Sequence, residues 1–171
     1  MTIRLLLSTC LAIGSLRAQT LEQPSASHPF GITLTAPADS SQHSTNTLLA
    51  GEKPTVLAFW LTTCMPCMVE LGAYAQNFAA WQQQVDFRLL AVSIDFPERF
   101  AKVRQVASEK QWPFPVYWDG QRAFKNILPG GLNGLPQVFV FDKKGKLVWQ
   151  HRRYAPGDEA AMFEAVKAAG K

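Results

Sequence analysis

Two cysteines separated by two residues constrain this chain more than any other feature of its sequence. Cys64 and Cys67 lie between an apolar run, residues 55–61, and a helix-like stretch that begins near Met68. The run is apolar on both faces, which is typical of a central strand in a sheet that other elements cover. A close cysteine pair at the point where such a strand leads into a helix is either a redox pair or half of a metal site.

The position of the pair favours redox chemistry. The thiolate is the reactive form of cysteine, and a helix N-terminus stabilises it through unpaired N–H groups and the helix dipole. Cys64 falls at that terminus, whereas Cys67 lies one turn into the helix. Pro66 suits an early helical position because the N–H that it lacks would be unpaired there. We therefore predict that Cys64 is the exposed, attacking sulfur and that Cys67 is the buried sulfur that resolves the mixed disulfide.

Two other roles for the pair have less support. A structural zinc site needs two further ligands, but the sequence has no second cysteine pair, and its three histidines lack the spacing of partner ligands. A purely structural disulfide that closes so short a loop would constrain the unfolded chain little. The redox interpretation is therefore preferred, and no metal site is expected.

Residues 1–18 have the features of a signal peptide. Arg4 supplies the positive start, residues 5–16 form a short apolar run, and a small residue precedes a polar segment. The run is shorter than the roughly 20 apolar residues that span a bilayer, and a buried N-terminal helix is the alternative. We expect a linker at residues 19–29 and one folded domain at residues 30–171.

Export has consequences for charge and for redox state. Cleavage would remove Cys10, Arg4 and Arg17, and the formal net charge of +4 for the 171 residues would fall to about +2, too small to argue for nucleic-acid binding. Cys64 and Cys67 would then be the remaining cysteines of a protein in an oxidising compartment. There, a close pair forms a disulfide unless something reduces it.

Strands and helices alternate along the rest of the chain. The predicted order from residue 55 onward is strand 55–61, helix 65–83, strand 85–94, helix 97–111, strand 116–118, helix 120–127, strands 137–141 and 146–150, and helix 158–169. A strand at residues 30–35 precedes them, and residues 37–46 are expected to be a loop with nothing to bury. This alternation predicts an α/β fold with a largely parallel sheet, helices on both faces and a terminal hairpin.

The segment FWLTTCMPCMVE, residues 59–70, resembles the active-site segment of thioredoxin-fold proteins, and most of all that of the exported TlpA/ResA-like group. Other landmarks of the group are found in residues 51–54, 92–95, 114–116, 134–136 and 141–146. The resemblance covers residues 30–169. It implies a thioredoxin fold, with a central mixed sheet and helices on both faces. Residues 97–118 would be an inserted helix and strand, and the strand near residue 30 an N-terminal extension.

Glu70 receives a role only through this resemblance. In the TlpA/ResA-like group a glutamate at this position serves proton transfer, which implies that Glu70 is partly desolvated, has a raised pKa and takes the proton from Cys67. Its helical neighbours Pro66 and Tyr74 offer no ion pair. Ala58, where thioredoxins proper carry a buried aspartate, has no titrating group. A solvent-facing acid in the first turn of the helix is the alternative.

The resemblance also assigns a substrate-binding region. It implies that the Leu135–Pro136 peptide bond is cis, packs against the disulfide and leaves the Leu135 backbone free to pair with an extended substrate chain. An ordinary proline at a strand entry is the alternative. Trp60 is expected to be half core and half a wall beside the cysteines. Three other aromatic residues are assigned to core or insertion packing: Phe96, Trp112 and Trp118.

Two residues depart from the pattern of the group. Thr63 stands where tryptophan is usual, and Met65 where proline or glutamate is common. Both lie on the substrate-facing rim, so partner choice and reduction potential do not follow from the resemblance.

These residues and the resemblance together predict a thiol–disulfide oxidoreductase of the periplasm or cell envelope. The expected substrates are disulfide-containing envelope proteins, the expected electron donor is a membrane thiol–disulfide partner, and no cofactor is expected in the chain itself. Reduction of apocytochrome cysteines before haem attachment is the task that the resemblance implies. A monomer is the default expectation.

Alternatives of other classes remain open from the sequence. An oxidase or isomerase could use the same fold. A peroxidase of the peroxiredoxin type would need a threonine and a proline where this chain has Leu61 and Leu57. A metal or copper chaperone would need a third ligand near the pair, for which His151 is the candidate in three dimensions.

Overall fold

The structure is a computed structural model that describes residues 27–28 and 30–171. The predicted signal peptide, residues 1–18, and all but two residues of the predicted linker lie outside the described residues. Among the helices that are described, none combines the length and the apolar character that a membrane span requires.

Seven strands form one sheet, with helices around it. The elements in chain order are β1 (Thr33–Thr35), β2 (Gln42–Ser44), α1 (Thr45–Leu48), β3 (Thr55–Trp60), α2 (Met65–Gln84), β4 (Arg88–Ser93), a 3-10 turn (Pro97–Arg99), α3 (Phe100–Lys110), β5 (Val116–Trp118), α4 (Phe124–Ile127), β6 (Gln137–Phe141), β7 (Leu147–Arg152) and α5 (Asp158–Ala169). The order of strands across the sheet is β2-β1-β5-β4-β3-β6-β7. The predicted order of elements from residue 55 onward is confirmed.

The sheet is mixed, which confirms the sheet implied by the resemblance, whereas the largely parallel sheet expected from the alternation of strands and helices is wrong. Only the β3–β4 and β4–β5 pairs are parallel, whereas the other four neighbouring pairs are antiparallel. The reason is that β6 enters beside β3 in the opposite direction and returns through a hairpin to β7. At the other edge, β1 runs antiparallel to β5, and β2 runs antiparallel to β1.

The central strand β3 is buried on both faces, as its apolar sequence predicts. Successive side chains of a strand point to opposite faces. Val56, Ala58 and Trp60 accordingly join the core beneath α2, α3 and α5, whereas Leu57 and Phe59 join the core on the face of α1 and α4. Helices therefore cover both faces of the sheet. Because β3 is held on both sides, the position of its last residue, from which the cysteine segment starts, is well defined.

Residues 37–46, expected to be a loop, contain β2 and the start of α1. Polar side chains build this region. The Ser44 hydroxyl accepts the N–H of Asn46 and caps α1, and the buried Thr45 hydroxyl accepts the N–H of Ile32 at 2.9 Å. An edge strand of polar residues carries no hydrophobic alternation, so its sequence resembles that of a loop.

Two predicted helices are shorter than expected. The helix predicted at residues 97–111 divides into the 3-10 turn and α3, and Gln111 ends it in the left-handed region with φ of 45°. The helix predicted at residues 120–127 starts only at Phe124. The Asp119 carboxylate accepts the N–H groups of Ala123 and Phe124, both at 3.0 Å. These hydrogen bonds satisfy N–H groups at the start of α4 and so fix where the helix begins.

Candidate active site

A tight turn connects β3 to α2 and ends in the first cysteine. The Cys64 N–H donates to the Leu61 carbonyl at 3.0 Å. Cys64 has extended backbone angles and is the N-cap of α2, and its Sγ accepts the N–H of Cys67 at 3.3 Å. Pro66 is the second helical residue, where its missing N–H costs no hydrogen bond. The first sulfur therefore lies at the positive end of the helix dipole.

The two cysteines form a disulfide, and their surroundings differ. Their Cα atoms are 5.3 Å apart. Cys67 is completely buried in the core beneath α2, whereas Cys64 is half-buried and reaches the surface. A partner protein can therefore contact only the sulfur of Cys64 without disturbing the core. This asymmetry agrees with the roles predicted for the two sulfurs.

Glu70 lies in α2, one turn after Cys67, and is only 2% exposed. Its Oε1 accepts a hydrogen bond of 3.0 Å from the hydroxyl of Tyr74. Burial raises the pKa of Glu70 to about 7, the Tyr74 hydrogen bond opposes this rise, and the charge of Asp158 adds to it. The alternative of a solvent-facing acid is therefore wrong. A carboxyl group with this pKa can both accept and release a proton near neutral pH.

Tyr74 is a site residue that the sequence analysis missed. The sequence identifies it only as a helical neighbour of Glu70 that offers no ion pair, and its side chain is buried. Burial and the nearby Glu70 raise the pKa of the Tyr74 hydroxyl, which therefore stays protonated and donates to Glu70. The sequence contained a sign of this contact, because Glu70 and Tyr74 are four residues apart, and residues with this spacing lie on the same face of a helix.

Trp60 is completely buried in the core that also contains Cys67, so the expectation that only half of it is core is wrong. The reason is Trp112, from the inserted segment, which packs edge-on against it with ring centroids 5.4 Å apart. Trp60 therefore supports the end of β3 from inside. Its substrate-binding role stays a prediction.

The peptide bond between Leu135 and Pro136 is cis. Gln137 pairs with Phe59 across the sheet, so Pro136 enters β6 beside the end of β3 from which the cysteine segment starts. The Pro136 carbonyl accepts the N–H of Arg153 at 2.7 Å.

Leu135 is half-buried and packs against the core that contains Cys67. Among the described residues, no hydrogen bond uses the backbone N–H or carbonyl of Leu135. Both groups are therefore available to an extended chain. The substrate-binding role of Leu135 and Pro136 stays a prediction.

The three other aromatic residues do not share one environment. Trp112 stacks on Phe114, and Trp118 stacks on Phe100, so both pack in the insertion as expected. Phe96 is 52% exposed, and the guanidinium carbon of Arg122 lies 4.5 Å from the centre of its ring. The assignment of Phe96 to core or insertion packing is therefore wrong, because its side chain lies at the surface.

His151 is engaged by a carboxylate. Its Nε2 lies 3.0 Å from Oδ2 of Asp158. Within residues 27–28 and 30–171, no group of three or more histidine, cysteine, aspartate or glutamate side chains is arranged to hold a metal ion.

The fold and the position of the disulfide define a thioredoxin-like protein. Residues 30–150 match the model of the AhpC/TSA family, and the chain belongs to that family. A solution structure of an uncharacterized thioredoxin-like protein from Porphyromonas gingivalis superposes with a TM-score of 0.70 at 32% identity, covering 85% of this chain and 94% of that one.

Two curated relatives are named thiol-disulfide oxidoreductases. ResA of Geobacillus thermodenitrificans (strain NG80-2) is 32% identical over 95 residues, which are 56% of this chain and 52% of ResA. YkuV of Bacillus subtilis (strain 168) is 26% identical over 104 residues, which are 58% of this chain and 66% of YkuV. The matches thus span between about half and two thirds of these relatives.

Replacing Glu70 by glutamine tests whether this residue carries the raised pKa. Its pKa of about 7 in the folded protein exceeds its ordinary value of 4.5, so between these values the folded state binds more protons than the unfolded state. The free energy of unfolding of the oxidised protein should therefore fall as the pH rises from 4.5 to 7, by roughly 3 kcal/mol for this one group. Glu70→Gln should lack this fall in urea unfolding at pH 4 and pH 8.

The matched control for this measurement is Glu164→Gln. Glu164 is an exposed acid on α5, so its replacement should leave the pH dependence of the wild type in place. An identical pH dependence in the wild type and in Glu70→Gln would contradict the assignment.

Replacing Tyr74 by phenylalanine tests the hydrogen bond between the two buried side chains. The bond favours the charged carboxylate, so Tyr74→Phe should move the pKa of Glu70 above about 7. A carbon-13 NMR titration of the Glu70 carboxyl group in the oxidised protein measures this shift. Tyr117→Phe, which alters a tyrosine of β5, should leave the titration unchanged. A Glu70 pKa that stays constant or falls in Tyr74→Phe would refute the role given to the bond.

Proposed function

We propose that this protein is an exported thiol–disulfide oxidoreductase that reduces disulfides of envelope proteins. The observation that carries the proposal is the disulfide at the start of α2, with Cys64 half-exposed and Cys67 completely buried. Family membership and the names of ResA and YkuV support the same reaction class.

The first step is attack by the Cys64 thiolate on a disulfide of the substrate. A bond forms between Cys64 and one substrate sulfur, the substrate disulfide breaks, and the second substrate sulfur leaves and takes up a proton. The N–H of Cys67, which lies 3.3 Å from the Cys64 sulfur in the disulfide form, supports the thiolate together with the helix dipole. A lowered thiol pKa increases the fraction of the nucleophile at neutral pH.

The second step releases the reduced substrate. Cys67 gives its proton to Glu70 and attacks the Cys64 sulfur of the mixed disulfide. The bond between Cys64 and the substrate breaks, the substrate thiolate leaves, and the Cys64–Cys67 disulfide forms. Two electrons have then passed from the cysteine pair to the substrate. Glu70 suits the transfer because its pKa of about 7 lies near the operating pH.

The substrate approaches as an extended chain beside Leu135. The free N–H and carbonyl of this residue support pairing in the manner of an added β-strand. Such pairing reads the backbone of the substrate, so it accepts different sequences around the disulfide.

The proposal also includes the location of the protein, its electron donor and its cellular task. Export is supported by the signal-like pattern of residues 1–18. A membrane thiol–disulfide partner returns two electrons to the pair after each cycle. Reduction of apocytochrome cysteines is the candidate task, and it is supported by the TlpA/ResA-like resemblance alone.

Serine variants of the two cysteines test the mechanism in an insulin-reduction assay driven by dithiothreitol. Cys64→Ser should lower the rate to that of dithiothreitol alone, because the attacking sulfur is lost. Cys67→Ser, reduced and then freed of dithiothreitol before it is mixed with insulin, should accumulate a mixed disulfide between Cys64 and insulin, visible by mass spectrometry. Ala79→Ser, on the exposed side of α2, is the control and should keep the wild-type rate. Retention of activity by Cys64→Ser would refute the mechanism.

A further inference from the structure

A buried carboxylate lies beneath the turn that ends in Cys64, and the mechanism above gives it no role. Asp95 follows β4 by two residues and is only 1% exposed. The Ile94 N–H donates to the Trp60 carbonyl at 3.0 Å, so this segment continues the pairing of β4 with β3 up to the turn.

The Asp95 carboxylate accepts three hydrogen bonds, two of them from Thr62, and forms an ion pair with Arg99. Its Oδ2 accepts the Thr62 N–H at 2.8 Å and the Ser93 hydroxyl at 2.9 Å. Its Oδ1 accepts the Thr62 hydroxyl at 2.7 Å, and Nε of Arg99 lies 3.2 Å from the same oxygen as an ion pair. The same Nε lies 3.1 Å from the Thr62 hydroxyl oxygen. Backbone and side chain of Thr62 are therefore held together by one buried acid.

Asp95 is itself fixed by its neighbours. Its backbone N–H donates to the Ser93 hydroxyl oxygen at 3.2 Å, and its carbonyl accepts Nε1 of Trp118 at 2.8 Å. Trp118 belongs to the inserted segment, so a hydrogen bond from the insertion helps to fix the backbone of Asp95. The carboxylate is thus a rigid anchor for the segment that it binds.

Thr62 is one of the two central residues of the turn from Leu61 to Cys64. A contact that fixes Thr62 therefore fixes the path of the chain into Cys64. We propose that Asp95, with Arg99 as its counter-charge, is a positioning residue that holds this turn so that the Cys64 sulfur stays within reach of Cys67. The proposal rests on the thiol–disulfide exchange proposed above and assigns Asp95 no contact with substrate.

A second buried aspartate shows what a purely structural acid does in this protein. Asp119 is also only 1% exposed, and its carboxylate accepts the N–H groups of Ala123 and Phe124 to start α4. It makes no hydrogen bond with the turn from Leu61 to Cys64. Asp119 is therefore a matched control for the loss of a buried carboxylate.

The step most sensitive to the turn is the attack of Cys67 on the mixed disulfide at Cys64, because both sulfurs belong to the same chain. Displacement of such a reacting pair by about 1 Å can cost roughly a hundredfold in rate. Asparagine at position 95 replaces one accepting oxygen by an NH₂ group, which cannot accept from Thr62 or Arg99. Asp95→Asn should therefore slow ring closure by roughly 10- to 100-fold.

The closure can be measured with a small aromatic disulfide, 5,5′-dithiobis(2-nitrobenzoate), and the reduced full-length chain in equimolar amounts. All variants carry Cys10→Ser, so that Cys64 and Cys67 are the only thiols that react. Attack by Cys64 releases one thionitrobenzoate and leaves the other bound in a mixed disulfide. Attack by Cys67 then breaks that bond, releases the second thionitrobenzoate and forms the Cys64–Cys67 disulfide. The rate constant of this second release is measured at increasing pH until it no longer changes. At that plateau Cys67 is fully ionised in every variant, so differences between variants report the closure step itself.

Two variants and their combination separate positioning from loss of stability. Thr62→Val removes the hydroxyl that links Asp95 and Arg99 but changes no charge, and it should also slow closure. The double variant should be no slower than Asp95→Asn alone, because both changes break the same link. Asp119→Asn should close at the wild-type rate within about twofold, the scatter expected for an independent site. If Asp95→Asn does not fold, Thr62→Val alone decides.

Three results would overturn the proposal: wild-type closure in both Asp95→Asn and Thr62→Val, equal slowing by Asp119→Asn, or multiplication of the two single effects in the double variant. The probe is a small molecule, so closure can be followed whether or not the chain reduces protein disulfides. Failure of the wild type to reduce insulin would count against the proposed function instead.

Discussion

The burial of β3 is the constraint on which the candidate active site depends. The strand is held by β4 on one side and by β6 on the other, and all of its side chains are buried. The side chain of its last residue, Trp60, packs edge-on against Trp112 in the core. The tight turn that follows therefore delivers Cys64 to the N-terminus of α2, where helix polarity favours a thiolate. The same helix carries Cys67 and Glu70 into the core, so one strand and one helix determine most of the site.

The parts of the fold that follow from hydrophobic periodicity were predictable. The apolar run of β3, the amphipathic pattern of α2 and the hairpin of β6 and β7 all have a signal within their own residues. The mixed character of the sheet has none, because strand direction is decided by contacts between distant segments. The polar edge strand β2 was missed for a related reason. Its residues are satisfied by backbone pairing with β1, not by a hydrophobic face.

The candidate site was predictable where residues lie close in sequence. The difference in exposure between Cys64 and Cys67 was predicted from their positions at a strand-to-helix junction. Burial of the acid at position 70 was expected only through the resemblance. The Tyr74 hydroxyl and the Asp95 carboxylate were missed. Tyr74 had a readable helical spacing to Glu70, but Asp95 reaches the turn from a different strand, 33 residues away from Thr62. Burial of Trp60 depended on an inserted tryptophan, whose position no local pattern predicts.

The direction of electron flow is the central claim, and the equilibrium potential of the Cys64–Cys67 couple tests it most directly. The oxidised and reduced fractions of the full-length chain can be measured in glutathione buffers of defined potential at pH 7. A protein that reduces disulfides should have a potential near that of thioredoxin, roughly −270 mV. A potential near roughly −120 mV, the value of a strong disulfide oxidant, would contradict the account.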